Sequence, residues 1–135
     1  MAGIRGKDTR PELLLRRALH ARGFRYRLHV KELIGRPDLF LPKHCTVVFV
    51  HGCFWHQHEG CKYAATPATR AEFWRVKFEA NVTRDSRVRV ELRRSGWRVA
   101  TIWECALRSH GQVEMTAEQV AGWLLSNRDC LEIGM

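Results

Sequence analysis

Residues 45–50, CTVVFV, place the strongest constraint on what this chain can fold into. The run is apolar or β-branched throughout, which is typical of a central strand buried on both faces of its sheet. A second run of this kind, WRVATIW, occupies residues 97–103. A long arginine-rich region with helical character lies between the two runs and ends at about Arg94. A helix in that place predicts a crossover connection between two strands of one sheet.

Three threonines mark the predicted helix starts, because each is followed three residues later by Glu or Gln, the spacing of a capping box. The pairs are Thr9 with Glu12, Thr69 with Glu72, and Thr116 with Gln119. The expected ends are Gly23 for the first helix, Gly96 for the second and about Ser126 for the third. The second helix can break near residues 81–83.

The remaining segments predict strands and turns. Phe24, Tyr26, Leu28 and Val30 alternate with polar residues, a period of two that favours a half-buried strand. Residues 38–41, DLFL, form a short strand between turns at GRP and PKH. The predicted order is therefore α-β-β-β-α-β-α. An antiparallel meander that leads through a helical crossover into another strand predicts an α/β fold, with a mixed β-sheet flanked by helices.

Length and composition are consistent with one folded domain over residues 1–135. Apolar residues make up 45% of the chain and charged residues 27%, an ordinary globular balance. The sequence contains no run of about 20 apolar residues, and residues 1–12 lack the apolar core of a signal peptide. We therefore expect a cytoplasmic protein without a membrane span.

The charge balance bears on partners rather than on fold. Lys and Arg number 23 against 14 Asp and Glu, which gives a formal net charge of +9. Such an excess favours a polyanionic partner, of which nucleic acid is the simplest. A basic protein that is merely soluble is the alternative that charge alone leaves open.

Cysteines and histidines are concentrated in residues 53–61, CFWHQHEGC. The spacing of Cys53, His58 and Cys61 lets a compact loop bring three ligands to one ion, and zinc prefers thiolate and imidazole in a tetrahedron. Cys105, directly after the strand at 97–103, is the best candidate for the fourth ligand, and His56 is its rival. A closed site with four protein ligands is structural.

The other two cysteines have simpler interpretations. The total of five is odd, which excludes a complete set of disulfides. Cys45 stands at the start of a strand and is expected in the core, whereas Cys130 has no obvious partner. For the residues 53–61 cluster itself, buried free thiols and a surface histidine are the alternative to a metal site.

Acidic and histidine residues lie at the ends of neighbouring predicted strands. Asp38 begins the DLFL strand and His51 ends the next one, so a hairpin can place them side by side. A carboxylate there can hold Mg²⁺, with the backbone carbonyl of Val50 as a second oxygen ligand. His51 and His56 can then accept a proton from water or steady a phosphate. An aspartate that merely starts a strand after a turn is the alternative for Asp38.

Several segments resemble the very short patch repair (Vsr) endonucleases. They are GRPD, FVHGCFWHQH, PATRAEFW, NVTRD and GWRVATIWECAL, which occur in the family's order and spacing from about Thr9 to Leu107. The resemblance implies a restriction-endonuclease-like fold with a structural zinc site. It implies a Mg²⁺-dependent nick in double-stranded DNA on the 5′ side of the thymine in a T:G mismatch, which starts repair of deaminated 5-methylcytosine.

The resemblance also implies roles for individual residues. Asp38 matches the metal-binding aspartate, His51 and His56 the active-site histidines, and Glu12 the first-helix glutamate that hydrogen-bonds metal-bound water. His56 is then the general base acting through water. The zinc ligands implied are Cys53, His58, Cys61 and Cys105. The DNA-contacting residues implied are Phe54, Trp55 and Trp74, which intercalate beside the mismatch, and Asn81 and Arg84; Trp97, Trp103 and Trp123 remain expected core residues.

The implied partners follow from the same resemblance. We expect a monomer on DNA, because a lone mismatch has no two-fold symmetry for a dimer to match. Association with the nucleoid, and functional links to a DNA cytosine methyltransferase and to mismatch-repair proteins, are expected as well.

The chain departs from the family pattern at three places. Val50 replaces the usual threonine, the zinc loop has one extra residue at Glu59–Gly60, and the segment ahead of Thr9 is short. Two alternatives remain open. One is a zinc-stapled DNA-binding module without catalysis, and the other is a related nuclease with a different site preference.

Overall fold

The computed structural model describes residues 9–134, so the segment ahead of Thr9 lies outside the described residues. Within residues 9–134 the chain forms three α-helices, five β-strands and three short 3₁₀ turns. The helices are α1 (Arg10–Ala21), α2 (Ala71–Arg94) and α3 (His110–Leu124). The strands are β1 (Arg27–Leu28), β2 (Leu39–Leu41), β3 (Thr46–His51), β4 (Arg98–Trp103) and β5 (Cys130–Ile133).

The described strands form one sheet in the order β1-β2-β3-β4-β5. The pairs β1–β2 and β2–β3 are antiparallel, whereas β3–β4 and β4–β5 are parallel. The helix α2 makes the crossover from β3 to β4, and α3 makes the crossover from β4 to β5. The predicted α/β fold with a mixed sheet flanked by helices is confirmed.

Helices cover both faces of the sheet. On one face Val48, Ala100 and Ile102 join a buried cluster with Leu15 and Leu19 of α1 and with α3 side chains. The cluster on the other face contains Val47, Phe49 and Val99 of the central strands, with Val88 and Leu92 of α2. Successive residues of β3 therefore point to opposite helical layers, as the uniformly apolar run 45–50 predicts.

The first helix begins and ends where the sequence indicates. Thr9 is the N-cap residue, and its side-chain oxygen accepts a hydrogen bond from the backbone N–H of Glu12. Gly23 follows the helix with φ of +94°, a left-handed conformation that favours glycine. Glu12, Leu15 and Leu19 lie on the buried side of α1. This helix consequently brings a carboxyl group into the interior beside β2.

Two of the three predicted capping boxes are wrong. Helix α2 starts at Ala71 after Arg70, which adopts a left-handed conformation and provides no side-chain cap, and the helix runs unbroken to Arg94. Helix α3 starts earlier than predicted, because the side chain of Ser109 accepts the hydrogen bond from the N–H of Gln112. Thr116 lies inside α3, where its hydroxyl donates to the carbonyl of Ala106 at 2.9 Å.

The edge strands also differ from the prediction. The strand expected over residues 24–30 is reduced to Arg27–Leu28, since His29 adopts a left-handed φ of +47° that ends the extended conformation. Strand β5 at Cys130–Ile133 was not predicted, because its alternating half-buried and exposed residues carry a weak signal at a sheet edge. The predicted helix and strand order lacks this last element.

Candidate active site and metal clusters

Asp38 and Val50 meet where β2 and β3 pair. Asp38 immediately precedes β2, and the antiparallel register sets Leu39 opposite Val48. The backbone N–H of Val50 donates a hydrogen bond to Oδ2 of Asp38 at 2.7 Å. The carboxylate is thereby fixed in orientation by the backbone of the neighbouring strand.

Glu12 of α1 lies beside the same carboxylate. Its side chain is almost completely buried, it accepts a hydrogen bond from Arg16 at 3.1 Å, and its Oε2 contacts Nε2 of His29 at 2.7 Å. The possible ligand atoms of Glu12, His29 and Asp38 all lie within 4.8 Å of one another. Burial, with a smaller contribution from Glu12, raises the pKa of Asp38 to about 7 against the opposing Val50 hydrogen bond. A cation at this place would offset the cost of two adjacent carboxyl groups, of which Glu12 is buried and Asp38 half-buried.

Two stacked histidines stand at the end of β3. The rings of His51 and His56 are nearly parallel, with 3.9 Å between their centroids. Nδ1 of His56 is 2.5 Å from Oδ2 of Asp85 on α2. Burial of Asp85 opposes its ionisation, but the hydrogen bond and charge of His56 outweigh burial and lower the pKa of this carboxyl. Asp85 therefore orients the His56 ring and leaves Nε2 as its other nitrogen.

His51 is buried deeper than His56. Burial, reinforced by the neighbouring His56, lowers the pKa of His51 to about 3. Its Nδ1 has no hydrogen-bond partner among the residues that the structure describes. At neutral pH this ring is uncharged, so it serves as a neutral acceptor or donor and not as a cationic clamp for phosphate.

One cavity of about 390 Å³ joins these groups. The residues that line it come from the segment before β2, from β3, from the residue 53–61 loop and from α2. They include Arg36, Asp38, Val50, His51, His56, Arg84, Asp85 and Arg89. The arginines supply positive charge around two carboxylates and two imidazoles. This arrangement can bind a phosphodiester and present it to a base.

Cys53, His58, Cys61 and Cys105 form a second, separate cluster. All four side chains are buried, and their possible ligand atoms lie within 4.8 Å of one another. Nδ1 of His58 is 3.7 Å from Sγ of Cys53 and 3.5 Å from Sγ of Cys105. Sulfur and nitrogen ligands of a tetrahedral zinc are about 3.6 Å apart, so the set fits zinc. The cluster can hold a metal ion such as zinc.

The groups around this cluster affect the Cys53 thiol and hold the His58 ring in place. Burial, together with the charge of the adjacent Cys105, raises the pKa of the Cys53 thiol to about 12. Trp103 stacks on the His58 ring at 4.1 Å, and its indole N–H donates to Glu132 at 2.7 Å. The ring of His58 is thus held with Nδ1 toward the thiols. Cys105 occupies the fourth position, while His56, its rival in the sequence, lies in the other cluster.

Aromatic rings from the loop and from α2 pack together beside the cavity. Phe54 makes edge contacts with Trp55, Trp74 and Phe78, at centroid distances of 5.0, 5.7 and 5.1 Å. Phe78 is buried, whereas the other three rings remain partly exposed. The side-chain amide of Asn81 donates to the carbonyl of Trp55 at 2.9 Å and holds the loop against α2.

The structure also bears on the two remaining cysteines and on three of the tryptophans. Cys45 is exposed and not in the core, because it follows a 3₁₀ turn in a left-handed conformation that directs it outward. Cys130 is also exposed and contacts Arg93. Trp103 and Trp123 are buried as expected, and Trp97 is half-buried against Phe40.

Comparison with known proteins places this chain in a family. The model of the DNA mismatch endonuclease Vsr family matches residues 1–62. The type II nicking enzyme V.XorIIP of Xanthomonas oryzae is 47% identical over 84% of this chain and 83% of its own length. The chain belongs to the Vsr family. The DNA mismatch endonuclease Vsr of Escherichia coli is 40% identical over 92% of this chain and 80% of its own length. A type II nicking enzyme of Neisseria meningitidis, V.NmeAIP, is 42% identical over 81% and 77%.

Membership of the Vsr family agrees with the fold. The mixed sheet with helices on both faces is the restriction-endonuclease-like arrangement expected from the resemblance.

No helix in residues 9–134 is long and apolar enough to cross a membrane.

Two residues of the site were not singled out from the sequence. Asp85 lies on the same side of α2 as the buried Phe78, Val88 and Leu92. A carboxylate at helical spacing from apolar residues was the feature of the sequence that could have identified it. His29 was placed among the outward-facing polar residues of a predicted strand. Its left-handed backbone, which turns the ring toward Glu12, has no signal in the sequence.

Proposed function

We propose that this protein is a Mg²⁺-dependent endonuclease that nicks double-stranded DNA on the 5′ side of the thymine in a T:G mismatch, and so begins repair of deaminated 5-methylcytosine. The observation that carries the proposal is the cavity at which Asp38, His51 and His56 meet. The endonuclease and nicking-enzyme names of the relatives support the reaction class. The net charge of +9 supports a DNA partner.

Asp38 and the carbonyl of Val50 would hold the Mg²⁺ ion, with Glu12 contacting its water. Two adjacent carboxyl groups, the buried Glu12 and the half-buried Asp38 with its pKa raised to about 7, fit a hard divalent cation. When bound, Mg²⁺ supplies Lewis-acid stabilisation of the charge that develops on the phosphate. The hydrogen bond that the Asp38 carboxylate accepts from the backbone N–H of Val50 would keep this ligand in a fixed orientation.

His56 would act as the general base. With Nδ1 hydrogen-bonded to Asp85, its Nε2 is the nitrogen that accepts a proton from an attacking water. The neutral ring of His51, stacked on His56, restricts the rotation of the base and adds no positive charge. Arg36, Arg84 and Arg89 would neutralise phosphates on either side of the scissile bond.

The aromatic cluster would supply mismatch selectivity. Phe54, Trp55 and Trp74 are partly exposed and would be wedged between bases, with Asn81 fixing the loop that carries Trp55. Opening a base step costs a few kcal/mol, and less at a mismatch that already stacks poorly. Selectivity then needs no direct contact with every base.

The second cluster would bind one structural zinc ion that fixes the loop. Cys53 and His58 flank His56 in sequence, so a metal at Cys53, His58, Cys61 and Cys105 would hold the base in place from outside the active site. The extra residue at Glu59–Gly60 is accommodated by a left-handed turn, with φ of +73° at Gly60.

Residues 1–135 would act as a single domain and as a monomer on DNA, in the cytoplasm and associated with the nucleoid. A DNA cytosine methyltransferase and mismatch-repair proteins would be its functional partners. Sedimentation of the complex on one mismatched duplex tests the monomer, because two bound chains would nearly double the mass contributed by protein.

A nicking assay on labelled duplexes tests the reaction. Wild type should nick the T strand beside a T:G mismatch in Mg²⁺, but should not nick with chelator or on the matched T:A duplex. Asp38→Asn, which keeps the shape of the side chain, should abolish the nick and retain mismatch binding. Asp129→Asn, a change at an exposed carboxylate near β5, is the matched control and should nick normally.

Other results of this assay have defined meanings. Nicking by Asp38→Asn at the wild-type rate would remove Asp38 from the metal site. Binding to the mismatch without a nick in any sequence context would make the protein a zinc-stapled binding module. A nick at other mismatches or at a matched site would retain the nuclease and change its substrate.

A further inference from the structure

Trp103 lies between the stacked histidine pair and the cysteine–histidine cluster. It is the last residue of β4 and stands opposite His51 in the parallel register with β3. Its indole ring packs edge-on against the His51 ring, with 5.2 Å between centroids and 74° between planes. The same indole stacks on the His58 ring, with 4.1 Å between centroids and 10° between planes. One side chain thus contacts a candidate metal ligand and a histidine of the cavity.

The orientation of the His51 ring depends on contacts of this kind. The residue is 6% exposed, and its buried Nδ1 has no hydrogen-bond partner in residues 9–134. Because no hydrogen bond fixes the ring at this nitrogen, the close-packed groups around it must do so. They include Phe49, His56 and Trp103, at centroid distances of 5.7, 3.9 and 5.2 Å. Phe49 shares the strand of His51 and His56 is the proposed base, so Trp103 is the support that a separate strand supplies.

The indole of Trp103 is itself fixed from several directions. It is only 7% exposed and belongs to the buried cluster that contains the three cysteines of the metal-type site. Its N–H donates to Oε2 of Glu132 on β5 at 2.7 Å. The backbone at Gly134 lies so close that a Cβ there would be 2.7 Å from Cδ1 of the indole. A side chain locked by packing and by a hydrogen bond can hold a neighbouring functional group in place.

His51 in turn supports the ring of His56. The two rings are within 6° of parallel, so a rotation of His51 displaces the surface on which His56 rests. Nδ1 of His56 is 2.5 Å from Oδ2 of Asp85, and this short contact depends on where the His56 ring lies. A misplacement of about 1 Å in a reacting group can slow a reaction by roughly a hundredfold. Trp103 can therefore affect the base, although it is not among the residues that line the cavity in the described part of the chain.

We propose that Trp103 is a positioning residue of the nicking site: its indole, held against His58, sets the orientation of His51 and through it that of His56. The inference rests on the proposed function, since it concerns the base of the same reaction. It gives the tryptophan at the end of β4 a role beyond filling the core.

The competing role for Trp103 is core packing alone, and Trp123 provides the matched control. Both tryptophans are buried, but Trp123 belongs to the cluster formed with α1 and α3. Trp103→Leu and Trp123→Leu each remove a buried indole, and Trp103→Phe with Trp123→Phe form a second, milder pair. Zinc-loaded protein is used throughout, and zinc content and urea unfolding are measured for all four variants. Comparison within a pair separates positioning from a general loss of stability.

The first readout is the tautomer of His56 in protein without DNA. The ¹⁵N shifts of its ring, detected through the carbon-bound ring protons, show which nitrogen carries the proton. In wild type the proton should lie on Nδ1, because the Asp85 carboxylate accepts it. In Trp103→Leu the population of the other tautomer should rise at least about threefold above that in Trp123→Leu, since a displaced ring loses this hydrogen bond. Trp103→Phe keeps an aromatic face against His58 and should give an intermediate value.

The second readout is the split between nicking rate and DNA affinity. On saturating T:G duplex, Trp103→Leu should nick about tenfold or more slowly in a single turnover, with duplex affinity within about threefold of wild type. Trp123→Leu should change neither quantity by more than about threefold.

Asp85→Asn identifies the ¹⁵N signal, because replacing the acceptor should change the His56 tautomer directly. Where a leucine variant loses zinc or fails to fold, the phenylalanine pair decides by the same comparison. Equal tautomer populations in the Trp103 and Trp123 variants would overturn the proposal, whatever the nicking rates.

The two readouts also separate this inference from the proposed function. If wild type nicks in Mg²⁺ while the tautomer populations are equal, the positioning role of Trp103 fails and the proposed function stands. If wild type does not nick but the tautomer changes in the Trp103 variants, the proposed function fails and the control of the His56 ring by Trp103 stands.

Discussion

The backbone N–H of Val50 donates to Oδ2 of Asp38 at 2.7 Å, so the carboxylate is oriented by main chain and not by the side chain at position 50. Any residue other than proline can make this contact. The valine that stands where the family usually has threonine is therefore compatible with an ordered carboxylate. Its side chain is half-buried and lines the cavity.

Val50→Thr should leave nicking within about threefold of wild type, because the substitution preserves shape and the contact with Asp38 belongs to the backbone. Single-turnover nicking rates on a T:G duplex measure this. A gain of about tenfold or more, which corresponds to about 1.4 kcal/mol, would show that a hydroxyl at position 50 takes part in the reaction.

Asp85→Asn should slow nicking by about a hundredfold while mismatch affinity changes little. The carboxylate holds His56 through Nδ1, and an amide there allows the wrong tautomer of the base. Single-turnover rates and binding isotherms on the same duplex separate the two effects. Asp129→Asn serves again as the control, and loss of binding equal to the loss of rate would place Asp85 in the DNA interface instead.

Metal analysis should find about one zinc per chain, since one four-ligand cluster is present in the described residues. Cys105→Ser should lower the zinc content strongly and reduce Tm by about 10 °C or more, because bound metal contributes to folding free energy. Cys130→Ser changes an exposed thiol and should alter neither quantity. Unchanged zinc in Cys105→Ser would mean that a different residue completes the site.

The central sheet and the zinc-type cluster were predictable because each depends on a local pattern. Apolar runs identify β3 and β4, and the spacing of Cys53, His58 and Cys61 identifies a loop that can surround an ion. The fourth ligand follows from topology. Strands β3 and β4 are parallel neighbours, with His51 opposite Trp103, so Cys53 and Cys105 leave the same edge of the sheet.

The features that were missed depend on tertiary contacts or on unusual backbone conformations. Thr69 has the sequence of a cap, but Arg70 takes the N-cap position in a left-handed conformation. The alternating pattern predicts an outward-facing strand residue at His29, but its left-handed backbone turns the side chain inward. Helix propensity and hydrophobic periodicity do not predict the backbone conformation of a single residue, because contacts with neighbouring elements determine that conformation.

In Mg²⁺-free buffer, His51 and Asp38 should change the free energy of unfolding in opposite directions as the pH is lowered. The pKa of His51 is lowered to about 3, so the unfolded chain binds the proton first and stability falls as pH drops below 6.5. The pKa of Asp38 is raised to about 7, so the folded chain binds the proton first and stability rises as pH drops from 7 toward 3.8. Between pH 7 and 5 the two changes, each roughly 2 kcal/mol, largely cancel.

Variants should separate these contributions in urea unfolding measured at pH 7 and pH 5. Asp38→Asn should lose stability on acidification, since only the His51 effect remains. His51→Gln should gain stability, since only the Asp38 effect remains. Protonation of the zinc thiolates is common to all three proteins and cancels in the differences, so parallel pH profiles would contradict the assignment.

Replacing Trp74 and replacing Trp123 should have different effects, although both tryptophans lie on helices. The Trp123 variant should lose stability, and the Trp74 variant should lose affinity for mismatched DNA. Trp123 is fully buried beneath Arg98, and Trp123→Ala should cost about 3–5 kcal/mol of unfolding free energy. Trp74 is partly exposed in the cluster with Phe54 and Trp55, and Trp74→Ala should cost much less stability but weaken binding to a T:G duplex by about tenfold. Binding to a matched duplex should change little, because the wedge acts where stacking is already weak. Urea unfolding and paired binding isotherms measure both quantities, and equal losses of affinity for matched and mismatched DNA would assign Trp74 to general DNA contact.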